Sequence, residues 1–289
     1  MTDHSAAMGI QAADADSRTL VVIRPSRDHD WFGLTELWNH RNLLYLVVWR
    51  DIKVRYKQTV LGAAWAFLQP FLTMLVFTLV FGRLAKVPSG GVAYPVFVFT
   101  GLLPWQFFAQ GLVRASSSLV QERYLLSKMY VPRLVLPVSA ILNGMPDFGI
   151  AFLILLGLML RYRIAPTWAT LAIFPLLLFA GATALCAGLF LATWNIRYRD
   201  VAYIIPFFVQ LWFFITPVAY PVSLVPERWR ILYQLNPMAS VMEGFRGVVL
   251  GSGAVPWAMI AASAACVGGL LAIGFLYFQR MDRTFADVV

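Results

Sequence analysis

Six long stretches of this chain carry almost no formal charge, and a chain built that way has few folded forms open to it. Five are uninterrupted, at 58–82, 87–113, 164–196, 201–226 and 247–279; a sixth, 134–160, is broken only by Asp147. Each exceeds the ~20 residues that an α-helix, rising ~1.5 Å per residue, needs to cross ~30 Å of hydrocarbon. Only 13% of the 289 residues are charged, against ~25% in a soluble domain. Lipid is the natural solvent for such a sequence, and a helix satisfies its own backbone there. The expected fold is an all-α integral membrane protein with six transmembrane helices.

Six spans put both ends on one side, and the basic residues decide which. With the N-terminus inside, the inner segments hold sixteen Lys and Arg: eight before residue 58, four in 114–133, then Arg197, Arg199, Arg280 and Arg283. The outer segments hold the other seven: Arg83, Lys86, Arg161, Arg163, Arg228, Arg230 and Arg246. The positive-inside rule therefore predicts N-in, C-in. The net charge of +9 falls between the apolar stretches, so it points to anionic lipid headgroups rather than nucleic acid. The polar first twenty residues lack a signal-peptide core and are expected to stay cytosolic.

Two segments depart from simple spanning. Trp38, Tyr45, Trp49, Ile52 and Tyr56 recur at helical spacing within 36–57, beside Arg50, Lys53 and Lys57. An aromatic stripe flanked by cations predicts an amphipathic helix in the inner headgroup layer; packing on a soluble partner is the other reading. Residues 231–242, a charge-free run of twelve, are too short to cross. A re-entrant helix pair turning near Asn236-Pro237, before the last span, fits them, and an ordinary external loop is the alternative. The organisation expected is a cytosolic segment 1–35, the interface helix 36–57, a transmembrane domain 58–282 and a cytosolic tail 283–289.

The chain lacks the motifs of an enzyme. No G-x-x-x-x-G-K-[ST], H-E-x-x-H or G-x-S-x-G occurs; Cys186 and Cys266 have no metal spacing, and His4, His29 and His40 all lie before the first span. Neither a cofactor nor a metal is expected on this chain. If transport is active, ATP hydrolysis comes from another chain or an ion gradient drives it. Asp147 is the one acidic residue within a predicted span. A charge at that depth costs about 2.5–3.5 kcal/mol on insertion scales, which makes a proton relay one reading. Helix packing, with a bond to a neighbour such as Asn143, is the other.

Four spaced stretches carry a family resemblance: Arg50–Pro70 (RDIKVRYKQTVLGAAWAFLQP), Tyr130–Pro137 (YVPRLVLP), Arg199-Asp200 with Pro206 and 215–221 (ITPVAYP), and 235–251 (LNPMASVMEGFRGVVLG). In this order they resemble the ABC-2-type permeases that export O-antigen, capsule and teichoic-acid polymers. The resemblance spans about residues 35–285. It implies a homodimer in the cytoplasmic (inner) membrane, with two ATP-binding subunits carrying ATP and Mg, exporting a polyprenyl-pyrophosphate-linked polysaccharide. An ABC-2 drug or lipid exporter, or an ion-coupled secondary carrier using Asp147, are the alternatives.

The resemblance also distributes roles. Glu122, Tyr130, Pro132 and Arg133 would couple to the ATPase. Arg50, Lys53, Arg55 and Lys57 would meet the diphosphate of the substrate or lipid headgroups. Tyr203, Phe207 and Phe214, at helical spacings of four and seven, are candidate pore aromatics. Asn236, Pro237, Glu243 and Arg246 would form the external gate, with Glu243 and Arg246 able to pair along one helix face. Arg199 and Asp200 mark the start of span five.

Overall fold

The computed structural model describes residues 34–57, 62–128, 131–198, 200–251 and 257–285; the expectations placed on residues 1–33, Tyr130, Arg199 and 286–289 lie outside them. Every regular element among the described residues is helical. In chain order these are α1 (Leu34–Asn39), α2 (Arg41–Lys57), α3 (Gly62–Phe77), α4 (Tyr94–Gln121), α5 (Arg123–Lys128), α6 (Val135–Leu142), α7 (Met145–Arg161), α8 (Ile173–Arg197), α9 (Val201–Ile215), α10 (Glu227–Leu235), α11 (Pro237–Leu250) and α12 (Trp257–Phe285). A π-helix, Thr78–Leu84, continues α3, and its wider turns show in the bond from Ala85 N–H to the Val80 carbonyl.

Four described stretches are long and apolar enough to cross a bilayer: Ala64–Leu84, Tyr94–Lys128, Val135–Arg161 and Trp168–Arg197. Two shorter apolar stretches, Val201–Ile215 and Ser263–Tyr277, fall where the fifth and sixth spans were expected. The third crossing is not one regular helix. A turn at Asn143-Gly144 divides it into α6 and α7, just where Pro146 follows. The helix expected over 36–57 is likewise two, because a turn at His40 separates α1 from α2.

Burial ranks the spans. The apolar window of α4 is 78% buried by its own chain, against 11% for α3. Packed against α3, α6, α7, α8, α9 and α11, α4 is the axis of the bundle. Lipid is as apolar as leucine, so helices gather in it chiefly through close packing, and small residues let backbones approach. Between α4 and α8 that residue is Gly188: a Cβ there would lie 2.8 Å from the Ala115 Cβ. Gly188→Ala should therefore cost about 1–3 kcal/mol by overpacking, whereas Gly157, which faces open space on α7, should accept alanine without loss. Thermal unfolding of both variants in detergent checks the contrast.

Near α2, a second apolar cluster joins Leu119, Val131, Leu134–Leu136, Leu189, Ala192 and Phe275, with Leu37, Leu43 and Leu44 packed on it. This seats α1 and α2 on the bundle by their leucines. Trp38, Tyr45 and Trp49 are left exposed on the other side, with Arg41 over Trp38 and Lys53 over Trp49. An apolar-aromatic face bearing cations is what a headgroup layer accommodates.

Candidate functional site

Two polar clusters occupy opposite ends of this bundle. At the α2 end, Asp147 sits in the first turn of α7 and gathers three partners from two other helices. Arg55 Nη1 donates to its Oδ2 at 2.9 Å, Tyr56 Oη to its Oδ1 at 2.6 Å, and Arg114 Nη2 to Oδ2 at 3.3 Å. Arg55 also donates to the Asn143 carbonyl at 3.1 Å, and Arg114 to Gln110 Oε1 at 2.6 Å. Burial and the bond to Asp147 push the Tyr56 phenol up to about 12, so it stays a donor at any physiological pH. Asp147 is thus bound to Arg55, Tyr56 and Arg114 rather than to Asn143, whose Nδ2 donates to Asp51 Oδ2 at 2.8 Å.

The network continues toward α5. Arg50 bonds both Asp51 and Glu122, the residue that ends α4. Of the four cations expected to face a diphosphate or headgroups, Arg50 and Arg55 therefore turn onto carboxylates of the bundle. Lys53 lies exposed over the Trp49 ring, and Lys57 is exposed at the end of α2. Pro132 is buried and accepts from Val135 N–H, and Arg133 beside it is half-buried.

At the α10 end, the segment 216–221 runs between α9 and α10 without regular structure. Its carbonyls must still be satisfied wherever water is scarce. Arg246 on α11 does most of this. It is 4% exposed, with Nη2 donating to the Val218 carbonyl at 2.7 Å and Nη1 to the Tyr220 carbonyl and Glu243 Oε1, both at 3.3 Å. The guanidinium lies 4.0 Å from the Phe97 ring centroid. Tyr94 Oη takes the Ala219 carbonyl at 2.7 Å. Only glycine fits at 101, since a Cβ would stand 2.7 Å from the Val218 oxygen and 3.1 Å from Arg246 Nη2.

Asn236 closes the same clasp. Its Oδ1 accepts from Met238 N–H, capping α11, and from Trp212 Nε1, while Nδ2 donates to Thr216 Oγ1. Pro237 opens α11, where its missing N–H costs nothing. Two separate motif stretches, 215–221 and 235–251, are thereby joined atom to atom.

On α9, Tyr203, Phe207 and Phe214 are 83%, 62% and 60% exposed, while Ile205 and Val209 on the opposite face are buried. The three form an aromatic face that this chain does not cover. Asp200 stands at the start of α9, its carbonyl accepting from Tyr203 N–H. Sequence reading missed Tyr94, Phe97, Gly101, Gln110 and Arg114. One signal for the last pair was available: Gln106, Gln110 and Arg114 recur every four residues, a polar stripe in a helix otherwise apolar there.

The family described as ABC-2 type transporter matches residues 42–250. The chain is 34% identical over 218 residues to the O-antigen export system permease protein RfbA of Myxococcus xanthus, covering 74% of this chain and 82% of that one. It is 25% identical over 250 residues to an O-antigen export system permease protein RfbA of Klebsiella pneumoniae, covering 86% and 95%. To the polysialic acid transport protein KpsM of Escherichia coli it is 23% identical over 206 residues, covering 70% and 78%.

Proposed function

The chain belongs to the ABC-2 type transporter family, and from that premise we propose that it is the membrane-spanning permease of an ATP-driven exporter moving a lipid-linked, O-antigen-like polysaccharide across the cytoplasmic membrane. The observation that carries the reading is the likeness to an O-antigen export permease over 74% of the chain. Bound to two arginines and a tyrosine, Asp147 is accounted for as a packing residue, so nothing favours an ion-coupled carrier.

In this reading α9 and α12 supply the fifth and sixth spans, and both termini lie in the cytosol with α1, α2 and α5. Two copies form the conduit, because a hydrated polymer is too wide for one bundle whose axis, α4, is closely packed. The uncovered face of α9 is where the copies meet the chain in transit. Tyr203, Phe207 and Phe214 offer ring faces to sugar C–H groups without demanding one particular sugar. Lys53 and Lys57 meet lipid headgroups or the substrate diphosphate, while Arg50 and Arg55 hold α2 to the bundle.

A separate ATP-binding subunit, carrying ATP and Mg, docks at α5 and the 129–133 stretch. The Arg50–Glu122 ion pair supports a link from that dock to α2, so that a push on α5 is felt by the interface helix. Arg199 and Asp200 border the same cytosolic surface. At the outer end, α10 and α11 form the re-entrant pair, and Arg246, Glu243, Asn236 and Pro237 hold the exit closed at rest.

The test is genetic and biochemical together. Deleting the chain should abolish long-chain surface polysaccharide, and the tagged chain should bring a stoichiometric ATP-binding subunit from native membranes. An unchanged polysaccharide profile sinks the substrate; reproducible absence of the ATPase sinks the mechanism. Tyr130→Ala with Arg133→Ala should leave ATP turnover running while export falls at least tenfold, measured in proteoliposomes; normal export would remove the coupling role.

A further inference from the structure

A cavity of about 480 Å³ lies between α2, α3, α4 and α7, away from the aromatic face of α9. Its walls change character in order along the axis of α4. At the α2 end stand Arg55, Tyr56, Arg114 and Asp147. Next come the carboxamides of Gln110, Gln106 and, across on α3, Gln69. Beside and beyond them are Pro70, Leu103, Phe107, Phe148 and Ala151. Residues four apart on a helix are ~6 Å apart along its axis, so the α4 stripe carries polarity ~12 Å inward from Arg114.

The carboxamides of Gln69 and Gln106 bond to no group among the described residues, and Gln110 uses only its oxygen, on Arg114. Amides left unpaired at membrane depth are costly unless something in the cavity meets them. Trp65 and Gln69 lie on the face of α3 that this chain leaves uncovered, so the cavity opens sideways.

We propose that this cavity binds one glycerophospholipid of the surrounding leaflet: its phosphate on Arg55 and Arg114, its ester carbonyls on the Gln110, Gln106 and Gln69 amides, its acyl chains along Phe107 and Phe148. The succession of cation, amide donor and apolar wall reproduces the order of groups in such a lipid, from phosphodiester to ester to hydrocarbon. Guanidinium donors suit a phosphate oxygen, and the Asp147 carboxylate between them disfavours a ligand of higher negative charge. Lipid held here touches α2 and the first turn of α7 together. The inference requires only that α3, α4 and α7 cross the bilayer, and is independent of the cargo.

The full chain, purified and delipidated in detergent, is titrated with phosphatidylglycerol and read by native mass spectrometry. One lipid per chain is expected to be retained, and diacylglycerol, which lacks the phosphate, should not be. Gln106→Leu with Gln110→Leu should weaken retention at least tenfold, the loss of about one hydrogen bond or more. Thermal unfolding of the lipid-free variant checks its fold. Gln69→Leu, on the exposed rim where no packing changes, should weaken retention severalfold on its own. Unchanged retention in both variants, or equal retention of diacylglycerol, overturns the proposal. Displacement by an equimolar polyprenyl diphosphate also overturns it and assigns the cavity to the exported substrate.

Discussion

Arg246→Met should destabilise the chain by about 3–5 kcal/mol, the cost of breaking a buried charged cluster by removing one partner. Methionine fills similar volume, so the loss is electrostatic rather than steric. The Val218 and Tyr220 carbonyls lose their donor, and Glu243 keeps a half-buried carboxylate with no cation against it. Arg246→Lys should recover only part, because an ammonium cannot span two carbonyls while stacking flat on Phe97. Gly101→Ala attacks the same clasp from α4, by driving a methyl group against the Val218 oxygen. Thermal unfolding in detergent and proteolysis of 216–226 report the two losses. If Arg246→Met unfolds within a degree or two of the parent, the clasp contributes nothing and the guanidinium is incidental.

Asp147→Ala is the counterpart at the other end, and because its ion pairs are only partly buried a smaller loss, about 1–3 kcal/mol, is expected. Two arginines from different helices would then lose the carboxylate they share, and Tyr56 would lose its acceptor. Removing Arg55 as well should restore part of the stability, since the remaining arginine no longer has a like-charged neighbour; a double-mutant cycle measures that coupling. Asp147→Asn, which keeps the shape and one acceptor, should fall between. An ion-coupled carrier predicts the reverse pattern: Asp147→Asn folded normally but inactive in transport. Full stability with lost transport would revive that reading.

How far the sequence reaches is visible at these two ends. Charge-free length finds the four long spans, because hydrocarbon thickness sets a minimum that no other constraint masks. It overstates the length of the fifth helix, since α9 stops at Ile215, about 22 Å of helix for 15 residues, and the charge-free run goes on through a turn and a short 3-10 helix to residue 226. The break at Asn236-Pro237 follows from local chemistry, a side-chain cap followed by proline. By contrast, the partners of Asp147 lie 33 and about 92 residues away, and no local pattern records them. Counting formal charges also hides Gln106 and Gln110, which are neutral yet as much out of place in lipid as their bonding allows. Arg246 read as a partner of Glu243, but its role toward 216–221 exists only once α11 and that segment pack together.

The π-helix at Thr78–Leu84 gives the first span a tolerance that its neighbours lack. An α-turn closes on 3.6 residues, so losing one rotates everything downstream by about 100° and points the wrong side chains at the bundle. A π-turn already holds surplus chain and can give up a residue by tightening into an α-turn. Single-residue deletions should therefore be better accepted within 78–84 than anywhere in α4 or α8. Related chains that differ in length in the first span would be expected to differ here, at the one place where the count of residues and the aim of the helix are not locked together.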